Sequence, residues 1–120
     1  MGNVSGPDFI TLLVSNLETS YEFYTEKIGL NESSEKQPNA HAFATKPCGL
    51  AIRQSADQRK IDNPGQGIIV WLHTSDAVVL HNDLKESGVP IVENLRSSPF
   101  GMTFSFRDPD GYVIAVHDGG

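Results

Sequence analysis

The sequence is poor in three things, and each shortage removes a class of protein. It has one cysteine, Cys48. No intrachain disulfide can form, a cysteine-based zinc site is excluded, and a cytoplasmic location is expected. Positive charge is also short: 9 lysines and arginines against 15 aspartates and glutamates leave a formal net charge of −6. Nucleic acid rewards clustered Lys and Arg, so this balance argues against such a partner, whereas it suits a cationic ligand. Long apolar runs are missing too. Stretches such as residues 67–72 fall far short of the roughly 20 residues that cross a bilayer, and no membrane partner is expected. The opening residues 1–6 have neither a basic region nor an apolar core, so they do not read as a secretory signal. They place Gly6 where a myristoylation start needs Ser or Thr.

What is present describes one domain with an internal repeat. A chain of 120 residues, 38% hydrophobic and 20% charged, can bury a core but is too short for two ordinary domains; residues 1–120 are read as one. Ile10, Leu12 and Val14 alternate as Ile68, Val70 and Leu72 do, each set marking a strand with one face on a core. A helix-start signal follows each: Asn16 in the first half, Thr74 or Ser75 in the second. The spacing predicts helices over 17–27, with Leu17, Tyr21, Tyr24 and Ile28 inward, and over 76–87, with Val78, Val79, Leu80 and Leu84 inward. Gly29 and Gly88 close them. Strands are then expected at 40–45 and 49–54, joined as a hairpin across 46–48, and at 90–94, 102–107 and 112–117. Asp108-Pro109-Asp110-Gly111 forms the last turn. The polar stretch 54–67 reads as the linker between units of about 8–60 and 66–118. The pattern is β-α-β-β-β, twice.

At this point the chain resembles the vicinal oxygen chelate superfamily, which includes glyoxalases, bleomycin-resistance proteins and dioxygenases. The resemblance lies in the opening strand and helix from Phe9, with Phe23-Tyr24 and then Gly29-Leu30 at the helix end, and in the closing hairpin from Arg107 through Ile114. It implies an α+β fold: two tandem βαβββ units forming a curved mixed sheet around a cleft, with the helices on the convex side. Ile10, Leu12 and Val14 should then lie under a helix. Phe9, Thr11 and Leu13 should face the cleft, as should Gly67, Ile69, Trp71 and His73 from the second half.

Metal-dependent members of that family hold a divalent ion with His, Gln or Glu from four strands. The matching positions here are Phe9, seven residues before Asn16, together with Ala51, Gly67, and Ala115, four residues after Gly111. None has a side chain with a lone pair to offer, and hard divalent ions need several oxygen or imidazole donors. No cofactor and no metal are expected. Among the 4 histidines, His81 reads as a solvent-exposed helix residue, while His73 and His117 share cleft-facing parity at strand ends.

The expected site is therefore an apolar, aromatic small-molecule pocket. Its candidate residues are Phe9 and Trp71 as stacking faces, Arg53 for a carboxylate or phosphate, and His73, Met102, Phe106 and His117. His41, Phe43 and Phe104 are further candidates, and strand parity is undetermined for these as it is for Met102 and Phe106. Arg53 has an alternative as an ion-pair residue toward Asp57 or Glu93. Residues 99–102 read as a flap over the cleft or as a plain connector. Cys48 has no evident base beside it, and no phosphate-binding glycine loop occurs. The resemblance implies a metal-free homodimer binding a cationic or aromatic molecule, as in antibiotic sequestration. The competing readings are a superfamily enzyme, of lyase or dioxygenase type, with a displaced metal site or none, and a non-catalytic accessory module with a filled cleft.

Overall fold

The computed structural model describes residues 2–56 and 60–120. The chain divides into two compact units, one ending at Ile61 and the other beginning at Asp62. The first unit runs β1 (Phe9–Val14), α1 (Leu17–Glu22) continued by a π-helical turn (Phe23–Lys27), β2 (Glu32–Gln37), β3 (Ala40–Phe43) and β4 (Gly49–Gln54). The second runs β5 (Val70–His73), α2 (Ala77–Glu86), β6 (Ile91–Ser98), β7 (Gly101–Arg107) and β8 (Val113–His117). Each unit is thus β-α-β-β-β, as its sequence pattern predicts. Among the described residues, no helix is long and apolar enough to cross a membrane.

The two sheets have one plan. Their four-strand orders are β1-β4-β3-β2 and β5-β8-β7-β6, with the outer pairs β1–β4 and β5–β8 parallel and the other pairs antiparallel. The helix between the parallel strands is the crossover that a parallel pair requires. Asn16 caps α1 as expected, its Oδ1 accepting the Thr19 N–H at 3.1 Å. In α2 the cap is Asp76, not Thr74 or Ser75: Asp76 Oδ1 accepts the Val79 N–H at 3.1 Å, and Thr74 instead accepts the Asp76 N–H. Gly29 and Gly88 follow the helices with φ of 89° and 85°.

The core of each unit lies between its helix and one face of its sheet. In the first unit Leu12, Val14, Leu50, Ile52 and Phe43 are buried together with Phe23 and Tyr24. Tyr24 meets Phe43 with ring centroids 6.0 Å apart. The π turn widens the end of α1, and both consecutive aromatics, Phe23 and Tyr24, are buried there. In the second unit Phe104, Phe106, Ile114 and Val116 are buried with Ala77 and Leu84.

Several expectations are corrected. His81 is buried, only 8% exposed, and its ring meets Phe104 edge-on at 5.3 Å. The inward face of α2 is therefore Ala77, His81 and Leu84, and Val78 and Val79 are exposed. Small Ala77 and flat His81 suit that packing against β7 in place of two branched side chains. β5 begins at Val70 rather than Gly67, because residues 65–68 turn with Ile68 N–H on the Gly65 carbonyl; Ile68 is left exposed. β6 extends to Ser98, and β2 forms from a polar segment in which the sequence shows no alternation. The turn from Asp108 is as expected: its Oδ1 accepts the main-chain N–H of Asp110 at 3.0 Å and of Tyr112 at 2.9 Å.

Candidate functional site

Strand register sorts the first unit's side chains onto two faces. Phe43 pairs with Leu50 and His41 with Ile52, which pairs in turn with Leu12, so these share the face under α1. The opposite face carries Phe9, Thr11 and Leu13 from β1, Gly49, Ala51 and Arg53 from β4, and Ala40 and Ala42 from β3. On that face lies a cleft of about 420 Å³ lined by residues that include Asp8, Phe9, Thr11, Ala42, Ala51 and Arg53. Its volume is within the roughly 300–1,000 Å³ typical of small-molecule sites. Phe9 is 63% exposed, a large ring offered to solvent beside a floor of small residues.

Two sequence candidates, Phe9 and Arg53, meet in this cleft together with Ala51, while His41 is turned away from it. His41 Nδ1 lies 2.7 Å from Glu32 Oε2, and Tyr21 donates its hydroxyl to Glu32 Oε1 at 3.1 Å. The Tyr21 and His41 rings lie against each other tilted by 40°, with centroids 4.2 Å apart. The hydrogen bond to Glu32 and the carboxylate's negative charge hold the Tyr21 phenol above its ordinary pKa. Asp57, weighed as a partner for Arg53, lies outside the described residues.

In the second unit Trp71 and His73 pair with Ala115 and His117 and share their face. Trp71 is 47% exposed and meets His117 at 6.0 Å, and His117 meets His73 at 5.3 Å. Phe100, which the sequence reading placed only in a loop, stands beside both: its ring centroid is 6.4 Å from Trp71 and 6.2 Å from His117. Residues 98–101 are a tight hairpin turn, with Ser98 Oγ accepting the Phe100 N–H and donating to the Gly101 carbonyl. This is a pinned connector rather than a flap. The buried Nδ1 of His117 has no partner among the described residues.

Phe106 leaves the site. It is 0% exposed and paired with Ile114 on the face packed against α2, so no ligand can reach its ring. Phe104 is buried on that same face, whereas Phe43 borders the first unit's cleft but is only 3% exposed, its ring against Tyr24. Met102 is half-buried at the start of β7, its N–H held by Asp118. The sequence reading also missed Ala40, Ala42 and Gly49 as cleft residues. Pairing the two strands across the hairpin at 46–48 sets Ala42 opposite Ala51, a signal that was available once parity was fixed.

The residues present do not fit a divalent ion at the positions used by metal-dependent vicinal oxygen chelate proteins. Phe9 and Ala51 give the cleft a ring and a methyl, Gly67 sits in the turn ahead of β5, and Ala115 is a buried methyl beside Trp71. Among the described residues no group of three or more His, Cys, Asp or Glu is placed to hold a metal.

Two βαβββ repeats, each with its own mixed four-strand sheet, define the class of protein. The chain belongs to the Glyoxalase/Bleomycin resistance protein/Dioxygenase superfamily, whose family model matches residues 6–116. It is 26% identical over 116 residues to the virulence protein STM3117 of Salmonella typhimurium, covering 91% of this chain and 81% of that one. Among solved structures it is similar to TnmS3, an antibiotic-binding protein from Streptomyces sp. CB03234, at 23% identity and a TM-score of 0.73, with 100% of each chain covered. It is also similar to a lactoylglutathione lyase from Agrobacterium tumefaciens, at 16% identity and a TM-score of 0.69, with 98% of this chain and 96% of that one covered.

Proposed function

We propose that this protein binds a small, flat organic molecule in the cleft of its first unit and does not carry out metal-dependent chemistry there. One observation carries the reading. Where metal-dependent relatives place donor side chains, Phe9 and Ala51 supply a wall and a floor to an open cleft of about 420 Å³. A ring stacked on Phe9 gains about 0.5–1.5 kcal/mol beyond its buried area. The ring surface of Trp71, Phe100, His73 and His117 gives the second unit a contact area of its own. Sequestration of an antibiotic is the specific form of this function, supported by the fold shared with an antibiotic-binding protein. A cytoplasmic location, with which the lone Cys48 is compatible, and a homodimer, testable by analytical ultracentrifugation, complete the reading.

The test is calorimetry and thermal shift on chelator-treated protein with a panel of planar aromatic antibiotics, bleomycin-type compounds among them. At least one compound should raise Tm and release heat, and Ala51→Phe, which fills the floor, should remove both effects. Silence across the panel, or binding that Ala51→Phe leaves intact, would refute the reading.

A further inference from the structure

We infer that the first unit's cleft selects a planar ligand bearing an anionic group, which Arg53 holds. This rests on the ligand-binding reading above and adds the chemistry of the ligand. Register lays the cleft face out in rows. Phe9 stands beside Gly49; Thr11, Ala51 and Ala42 form the middle row; Leu13, Arg53 and Ala40 form the last. The middle row projects little beyond its Cβ atoms, so the floor is low and favours a flat molecule. Gly49 keeps the first row low as well, since a Cβ there would stand 3.0 Å from the Phe9 Cβ. From Gly49 to Arg53 is about 13 Å of strand at roughly 3.3 Å per residue. That is the span of a small fused-ring system with one substituent, its rings against Phe9 and its charged group toward Arg53.

The charge pattern gives the sign. Among the described side chains, the charged residues along the lining are Asp8 and Arg53. Asp8 precedes Phe9 at the far end, more than a screening length of about 8–10 Å from the row of Arg53. Arg53 is exposed, and among the described residues no ion pair engages it. Its planar fork of donors matches a carboxylate, sulfonate or phosphate in a way a point charge does not. The chain as a whole carries a net charge of −6. Attraction of an anion therefore depends on this local contact, not on the protein's long-range field.

The probes are naphthoate, naphthamide and naphthylmethylamine, which share one ring system and differ in charge, titrated calorimetrically into the full chain. Naphthoate should bind about 10- to 100-fold more tightly than naphthamide, the range of a charge-assisted hydrogen-bonded pair. Arg53→Gln should erase that difference, and Arg53→Lys should keep part of it. Arg53 is exposed, so neither substitution threatens the fold, which circular dichroism checks. A preference that persists in Arg53→Gln, or an amine that binds best, overturns the inference. If the three probes bind alike and Ala51→Phe or Ala42→Leu abolishes binding, the anion preference falls while the ligand-binding reading stands. If none of them binds, the inference falls, and the antibiotic panel alone decides the reading beneath it.

Discussion

Gln54 and Asp118 do the same job in the two units: Gln54 ends β4, Asp118 comes directly after β8, and each accepts the first main-chain N–H of its unit's helix. Gln54 Oε1 takes the Leu17 N–H at 2.9 Å, and Asp118 Oδ2 takes the Ala77 N–H at 3.0 Å. Both satisfy a donor that the helix itself leaves unpaired. Gln54 also donates to the Ser15 carbonyl at 2.7 Å, fastening β4 to the start of α1. Asp118 instead uses its other oxygen on the Met102 N–H at 2.8 Å, and its own N–H donates to the Met102 carbonyl at 3.2 Å. The repeat therefore fastens its helix with a neutral amide in one unit and a carboxylate in the other.

That difference predicts an acid-sensitive second unit. The N–H groups of Ala77 and Met102 hold the Asp118 carboxyl below the ordinary aspartate range. A group whose pKa is lowered on folding adds stability above its unfolded pKa and loses it as pH falls through the folded value. Asp118→Asn should lower Tm by a few degrees at neutral pH. It should also flatten the part of the Tm profile that lies on the acid side of the usual aspartate range. Gln54→Glu in the first unit should introduce a new pH dependence where none existed. Thermal melts across an acid pH series check both, and an Asp118→Asn profile parallel to wild type would remove the explanation.

The hairpin turn that carries Phe100 depends on the same carboxylate. Gly101 has φ of 87°, and a Cβ there would collide with the Asp118 carboxylate and stand 2.8 Å from the Gly119 nitrogen. Gly101→Ala should cost about 1–3 kcal/mol through backbone strain alone, read from the denaturant midpoint. Trp71 is the only tryptophan and lies beside Phe100, so its emission should shift in this variant. An unchanged spectrum would mean that Phe100 does not depend on the turn for its position.

Much of this architecture was legible in the sequence, because it follows from alternation and punctuation. Leu12 and Val14 announce a half-buried strand, and Asp108 with Gly111 announces a turn whose hydrogen bonds are local. The parts that were illegible depend on contacts between distant residues. β2 is a polar edge strand, recruited by pairing with β3 and anchored by Glu32 to Tyr21 and His41. Ile68 and Ile69 look like strand residues, yet the turn at residues 65–68 intervenes before β5. Val78 and Val79 look inward, yet His81 takes that role by packing on Phe104. In the site, Phe9, Ala51 and Arg53 follow from strand parity. The parity of β7 is not fixed by the sequence, which is why Phe106 stood among the cleft candidates although it lies on the buried face.

Phe106 offers a direct check on that reassignment. It is 0% exposed among Phe104, Ile114 and Val116, so Phe106→Ala removes core rather than ligand contact. The expected cost is about 3–5 kcal/mol of stability, read from chemical denaturation. Phe106→Leu should cost less and leave the affinity of any ligand of the first unit's cleft unchanged. A loss of affinity in the folded Phe106→Leu variant would return this residue to the site.

The Tyr21–Glu32–His41 cluster gives the first unit a pH response on the alkaline side. Glu32 raises the Tyr21 pKa, so the folded state holds the phenolic proton more tightly than the unfolded chain does. The corresponding stability is complete below the ordinary tyrosine pKa and is lost as pH rises through the folded value. Following tyrosinate absorbance in an alkaline titration of wild type, the Tyr21 phenol should ionise above the ordinary range. Glu32→Gln removes the repelling charge, and that transition should then move down toward the ordinary value, while Tyr21→Phe should delete it. The same Glu32→Gln change weakens the hold on His41 and with it the anchoring of β2, so hydrogen exchange at the amides of β2 and β3 should accelerate. If the transition stays where it was in Glu32→Gln, the carboxylate is not what holds the proton on Tyr21.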